Sequence, residues 1–101
     1  MVKKKRTVIW DTPAVDDLKE IYDYIKMDSL QAAQNVKSEI LATTKILSSN
    51  PELFAVDLLK ENNDGSNRAF FIYSYRIAYK ITDDNILILR IRHTSREPEE
   101  Y

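Results

Sequence analysis

The side chains that could hold an anion or transfer a proton are concentrated in the last third of this chain, from Ser74 to Tyr101. Two arginines there could stabilise negative charge developing on a phosphate, since guanidinium groups bind phosphate oxygens in a bidentate manner. The chain's one histidine ionises near neutral pH and could donate a proton to a leaving oxygen. A tyrosine phenol, with a usual pKa of about 10, would need a nearby arginine to act as a base. The candidate catalytic residues are Arg76, His93, Arg96 and Tyr101.

These residues also have a structural interpretation. Arg76 lies in a predicted strand and could pair with a carboxylate across the sheet. For Arg76 we favour this structural interpretation, because a few residues of suitable type are weak evidence for catalysis. His93 follows the last predicted strand, where a single histidine more often caps or packs. Convergence of Arg76, His93 and Arg96 on one groove, within reach of a single phosphate, would favour catalysis.

Charge is distributed unevenly along the chain, although the formal net charge is only −1. The stretch from Asp11 to Asp28 contains six acidic residues and two lysines, and these acids are expected on a solvated helix face. The stretch from Arg68 to Arg96 contains five arginines and one lysine against two acids. A local positive field attracts an anionic partner whatever the net charge. The candidate RNA-binding or anion-binding residues are Arg68, Arg90 and Arg92, with a solvated strand face as the equal alternative.

Composition limits the class of protein. A chain of 101 residues, 44% hydrophobic and 31% charged, is expected to form one globular domain over residues 1–101. It has no cysteine, one histidine and one glycine, so we expect no metal site, no glycine-rich phosphate loop and no cofactor. No apolar run approaches the roughly 20 residues of a membrane span. We therefore expect no membrane contact and a cytoplasmic location.

Hydrophobic periodicity predicts six elements that would position these side chains. Thr12-Pro13 marks one helix start, with Thr12 as the capping residue, and Asp28-Ser29 provides the cap of a second helix. The short connection between the helices implies an antiparallel hairpin. Residues 54–59 are either a short strand or an irregular crossing, and residues 61–67 are an exposed loop. The predicted strands are 3–10, 68–73, 75–81 and 86–92, and the predicted helices are 12–27 and 29–47.

The element order β-α-α-β-β-β predicts an α+β fold. An N-terminal strand precedes an antiparallel helical hairpin, which packs on one face of a small antiparallel sheet. Alternation along the third strand places Tyr75 and Tyr79 on one sheet face and Arg76 on the other. Arg90 and Arg92 of the last strand are expected on the same face as Arg76.

Three segments, taken together, resemble a known family. They are Thr12-Pro13-Ala14 with Asp17-Leu18, Ile21 and Tyr24-Ile25; Tyr75-Arg76-Ile77 with Tyr79 and Ile81; and Ile86 to Arg92 with His93 and Arg96. In this order, and at this chain length, they resemble the RelE/ParE superfamily of toxins from bacterial toxin–antitoxin pairs. The resemblance covers nearly the whole chain.

The resemblance implies one of two modes of action. RelE-like toxins cut messenger RNA on the ribosome, and the candidate catalytic residues would then correspond to theirs. ParE-like toxins have no such chemistry and poison DNA gyrase by binding it. The spacing in the first helix is closer to the ParE-like branch, and the lysines of the RelE-like branch are absent, with Arg68, Ala69 and Phe70 in that region. We predict a ParE-like toxin, with a ribosome-dependent mRNA endoribonuclease as the alternative.

The resemblance also implies partners. In both branches an antitoxin, whose tail wraps the toxin, neutralises it. We therefore expect a cognate antitoxin, with DNA gyrase or the ribosome and its mRNA as the target. A homodimer and a toxin–antitoxin hetero-oligomer are both expected assemblies.

Overall fold

The computed structural model describes residues 5–95, which form six regular elements in the predicted order. The predicted α+β class is confirmed, since two helices pack on a four-stranded sheet. Within residues 5–95, no helix combines the length and the hydropathy needed to cross a membrane. The strands are β1 (Thr7–Trp10), β2 (Asn67–Ile72), β3 (Tyr75–Ile81) and β4 (Asn85–His93), and the helices are α1 (Thr12–Lys26) and α2 (Leu30–Leu47).

The sheet has the strand order β1-β4-β3-β2 and is mixed, which corrects the prediction of wholly antiparallel pairing. β2, β3 and β4 form the predicted antiparallel meander, whereas β1 lies parallel to β4. The helical hairpin is the reason, because the end of α2 returns to the start of β1. There the Arg6 N–H donates to the Ser48 carbonyl at 2.9 Å, and Ser48 Oγ donates to the Arg6 carbonyl at 2.6 Å. β2 therefore starts at the same end of the sheet as β1. The β2–β3 and β3–β4 hairpins each reverse the chain, so β4 runs in the same direction as β1 and β2.

The helices begin close to the predicted positions, with one difference. Asp11, rather than Thr12, is the capping residue of α1, and its backbone is extended without a side-chain capping bond. Pro13 therefore lies in the first helical turn, where its missing N–H leaves no hydrogen bond unmade. Ser29 caps α2, as predicted, because its hydroxyl accepts from the Ala32 N–H at 3.1 Å.

An apolar core lies between the helices and the sheet. In the register of β3 with β4, Ile77 is opposite Ile91 and Tyr79 is opposite Ile88. Leu89 is the extra residue of a bulge, which shifts the side-chain alternation so that residues three apart, Ile88 and Ile91, both face the core. The core cluster also contains Ala14, Ile40, Leu47, Phe70, Tyr75 and Ile86.

The connection from α2 to β2 is an irregular crossing, one of the two predicted alternatives. The Asn63 amide organises its second half, since it donates to the carbonyls of Asp57 and Asn67 at 3.1 Å and 2.8 Å. The same amide accepts from the Asn67 N–H at 3.1 Å. The prediction that residues 61–67 form an exposed loop is therefore only partly correct, because Asn67 is buried. The crossing in turn places Asp57 against the sheet.

We predict that Ile40→Ala lowers the free energy of unfolding by about 2–5 kcal/mol, because Ile40 is fully buried between α2 and the sheet. Ile46→Ala is the matched control on the same helix, since Ile46 is 50% exposed and should lose less than half as much. Urea denaturation followed by circular dichroism measures both. Equal losses would contradict the position of the core.

Candidate functional site

Two of the predicted catalytic residues, Arg76 and His93, lie on different sheet faces. In the register of β3 with β4, His93 is opposite Tyr75 and Arg92 is opposite Arg76. Residues directly opposite each other point to the same face, and neighbours along a strand point to opposite faces. Tyr75 belongs to the core beneath the helices, so His93 lies on the helix face. Arg76 and Arg92 lie on the other surface of the sheet, hereafter the open face. Arg96 and Tyr101 lie outside the described residues.

Arg76 is bound within the protein. Its guanidinium forms a salt bridge with Asp57, whose side chain is 1% exposed. Asp57 also accepts a hydrogen bond from the Leu59 N–H at 2.9 Å. Ala69 and Ala78 form the next pair along the open face, and their small side chains leave room for the arginine to reach across. A buried carboxylate needs such a partner, because an uncompensated buried charge is strongly destabilising. Arg76 therefore fixes the α2–β2 connection to the sheet.

His93 packs at the end of β4. Its ring meets the Tyr75 ring edge-on, with the ring centroids 5.2 Å apart and the planes at 89°. Nδ1 of His93 accepts a hydrogen bond from the Ser95 N–H at 3.0 Å, which requires that nitrogen to be unprotonated. Burial raises the pKa of the Tyr75 phenol, and nearby Tyr24 adds to the rise. Tyr75 is therefore unsuited to act as a base at neutral pH.

Arg90 is held by helix α1. Its Nε atom donates to Asp17 Oδ2 at 2.8 Å and its Nη2 atom donates to Oδ1 at 3.3 Å. The hydrogen bond to Asp17 raises the pKa of the Arg90 guanidinium, which stays charged. The same carboxylate accepts from the Ile91 N–H at 2.9 Å. That group lies at the edge of β4 beyond the end of β1, since β1 ends opposite Ile88. Asp17 therefore ties α1 to β4 and closes this part of the sheet edge.

The three arginines predicted to bind an anion differ in their availability. Arg68 donates from Nη1 to the Phe54 carbonyl at 2.7 Å and from Nε to the Gly65 carbonyl at 3.2 Å. Arg90 is engaged by α1, as described above. Arg92 is exposed and, of the three, is the one without an internal hydrogen bond or ion pair among residues 5–95. Of these three arginines, Arg92 is therefore the one whose guanidinium is available to an anion among residues 5–95.

A cleft of about 370 Å³ lies between α1 and the end of β4. Its lining combines the apolar side chains of Ile21 and Ile91 with polar groups that include Glu20 and His93. Among the described residues, no three His, Asp or Glu side chains come together as a metal site would require. Because apolar and polar side chains line the cleft together, it can accept an amphipathic group of a partner. Its other lining residues are Asp17, Tyr24, Tyr75, Arg92 and Ser95.

Sequence reasoning missed the contribution of α1 to this cleft. Asp17, Ile21 and Tyr24 recur at helical spacing and so lie on one face of α1, which was the available signal. The acids of this helix were expected on a solvated face, but the Asp17 side chain is only 15% exposed. Its partner, Arg90, is distant in sequence, and periodicity within the helix does not reveal it.

Comparisons with known proteins agree with this fold. Residues 8–98 match the family described as the ParE toxin of type II toxin–antitoxin system, parDE. One similar structure is the chromosomal ParDE TA system from P. aeruginosa, with a TM-score of 0.69 and 20% identity, covering 89% of this chain and 97% of that chain. Another is the toxin–antitoxin complex RelBE2 from Mycobacterium tuberculosis, with a TM-score of 0.59 and 23% identity, covering 91% and 94%. At these identities the two structures support the fold alone. No curated protein sequence matches this chain.

We predict that Asp57→Ala lowers the free energy of unfolding by about 3 kcal/mol, because it leaves the largely buried Arg76 guanidinium without its partner. Asp83→Ala, at an exposed position in the β3–β4 turn, is the control and should have little effect. The double variant Asp57→Leu with Arg76→Met should recover much of the loss, since an apolar pair of similar volume needs no charge compensation. Guanidinium chloride denaturation measures the free energy of unfolding of all three variants. A small loss of stability in Asp57→Ala would contradict the role of the pair.

Proposed function

The chain belongs to the ParE toxin family of type II toxin–antitoxin systems, and on that premise we propose that it acts by binding a large target, DNA gyrase, rather than by cutting RNA. The observation that carries this proposal is the placement of the candidate catalytic side chains. Arg76 is bound to Asp57 on the open face, while His93 packs on Tyr75 on the helix face. A phosphate held by one of these side chains would lie on the opposite side of the sheet from the other. A nuclease needs such groups within hydrogen-bonding reach of one reacting centre.

The surface that supports binding is the tip of the helical hairpin. Tyr24, Met27 and Leu30 are 71%, 83% and 50% exposed there, although all three are large and apolar. Exposed apolar side chains that lie together mark protein–protein contact sites. Methionine in particular adapts to the shape of a partner surface. We infer that this tip, next to the cleft that Tyr24 also lines, contacts the target.

We also propose that a cognate antitoxin neutralises this protein in the cytoplasm. The two solved structures compared above are described as a toxin–antitoxin system and a toxin–antitoxin complex. The exposed Arg92 on the open face would attract an acidic antitoxin segment, because its charge is not neutralised by a partner within residues 5–95.

The proposal predicts the outcome of induction in a bacterial cell. We expect growth arrest with intact messenger RNA, together with DNA breaks and an SOS response. The double variant Arg96→Ala with Tyr101→Ala, which removes two of the candidate catalytic side chains, should arrest growth as the unaltered protein does, because neither residue performs chemistry. Primer extension on abundant messages and a reporter of DNA damage measure the two responses. Cleavage at fixed codon positions that is lost in the double variant would establish the endoribonuclease instead.

The surface can be tested with purified protein in a gyrase supercoiling assay. Met27→Glu places a charge at the centre of the exposed tip, and we expect the inhibitory concentration to rise about tenfold or more. Val15→Glu is the matched control, since Val15 is 48% exposed and lies three turns away near the start of α1. Equal inhibition by both variants would exclude the hairpin tip as the contact.

A further inference from the structure

The outer edge of β2 carries backbone groups that β3 does not use. The Ile81 N–H donates to the Ser66 carbonyl at 2.8 Å, which fixes the hydrogen-bonded pairs of the β2–β3 ladder. In an antiparallel ladder these pairs alternate with pairs whose N–H and C=O groups point away from the partner strand. The groups of Asn67, Ala69 and Phe71 therefore point outward from the sheet.

Only the first part of this edge is covered. The α2–β2 connection runs beside it, so that the Asp57 N–H donates to the Asn67 carbonyl at 2.8 Å and the Ala69 N–H donates to the Ala55 carbonyl at 3.4 Å. The connection then turns away from β2. Within residues 5–95, the Phe71 N–H, the Phe71 carbonyl and the Ala69 carbonyl have no hydrogen-bond partner. β2 therefore presents an open edge at its second half.

Two aromatic side chains along this open edge are exposed. Phe71 and Tyr73 are 62% and 64% exposed. The run from Ala69 to Tyr73, AFFIY, contains no charged residue, no glycine and no proline. Natural sheets usually protect an edge with a charge or a proline, and uncharged runs of high β propensity pair with other chains. On the other side of the sheet, Asp17 occupies the Ile91 N–H, the group of β4 that lies beyond the end of β1.

We propose that β2 pairs with β2 of a second copy of this chain, antiparallel and about a two-fold axis at Phe71. In this register each Phe71 N–H donates to the Phe71 carbonyl of the other copy. The Ala69 carbonyl of each copy accepts from the Tyr73 N–H of the other. The two Phe71 side chains then lie side by side on the open face, because directly opposite residues share a face.

Self-complementarity selects a second copy as the occupant of this edge. A two-fold contact requires that one patch match itself, and an uncharged strand does so without like-charge repulsion. The pairing covers only a few residues, since the α2–β2 connection blocks the edge before Ala69. A contact of this size belongs to the weak, reversible class of interfaces. The dimer therefore forms at high protein concentration, and it uses a surface separate from the hairpin tip of the proposed function.

The absence of cysteine makes this geometry directly testable, because a single introduced thiol reports on one position. Opposed residues of a hydrogen-bonded antiparallel pair have Cα atoms about 5.5 Å apart, within the roughly 4.4–6.8 Å that a disulfide spans. Phe71→Cys should therefore form a disulfide-linked dimer under mild oxidation. Val15→Cys is the matched control, since Val15 is 48% exposed and lies on α1 away from this edge. Equal crosslinking of the two variants would overturn the proposal.

Sedimentation equilibrium of the cysteine-free protein provides the second measurement. We expect a reversible monomer–dimer equilibrium in the micromolar range. Phe71→Lys should weaken it about tenfold or more, because two like charges would face each other at the axis. Val15→Lys should leave it unchanged. A chain that stays monomeric at high micromolar concentration, or a dimer that tolerates Phe71→Lys, would show that this edge does not pair with itself.

Discussion

The register between β3 and β4 decides which chemical groups of this protein can meet. It places Tyr75 opposite His93 and Arg76 opposite Arg92, one pair on each sheet face. The first pair closes the core beneath the helices, so the second pair must lie on the open face. The bulge at Leu89 is part of the same constraint, because it lets both ends of β4 contribute isoleucines to the core. Packing of the core therefore separates the histidine from the strand arginine.

Two carboxylates form ion pairs with arginines in the basic, C-terminal part of the chain. Asp57 binds Arg76 from the α2–β2 connection, and Asp17 binds Arg90 from α1. Each pair joins an irregular or helical segment to the sheet, so Arg76 and Arg90 stabilise contacts between these segments. Asp17 adds a second effect, since it occupies the Ile91 N–H at the sheet edge. Among residues 5–95, two exposed surfaces are apolar instead: the hairpin tip and the second half of β2.

Much of the fold could be predicted because its signals are local. Alternation fixed Tyr75–Ile81 as a strand with the bounds that the structure has, and Ser29 predicted the start of α2. β1 is shorter than predicted, and its parallel pairing with β4 escaped prediction, because hairpin signals report only on strands adjacent in sequence. Of the residues that line the cleft, only His93 and Arg92 were among the candidate site residues. Its α1 wall was missed, since residues that pack across elements leave no joint pattern in the sequence.

The sequence by itself determined the elements, their order, the acidic and basic ends of the chain and the resemblance to a toxin superfamily. These follow from side-chain spacing within single helices and strands. Only the tertiary structure decided which acids neutralise which arginines, because Asp57 and Arg76 are 19 residues apart and Asp17 and Arg90 are 73 apart. It also decided that Arg76 and His93 face opposite sides of the sheet, although both lie in one short segment. That outcome depends on how two strands pair, and pairing register is set by burial of the whole core rather than by the strands alone.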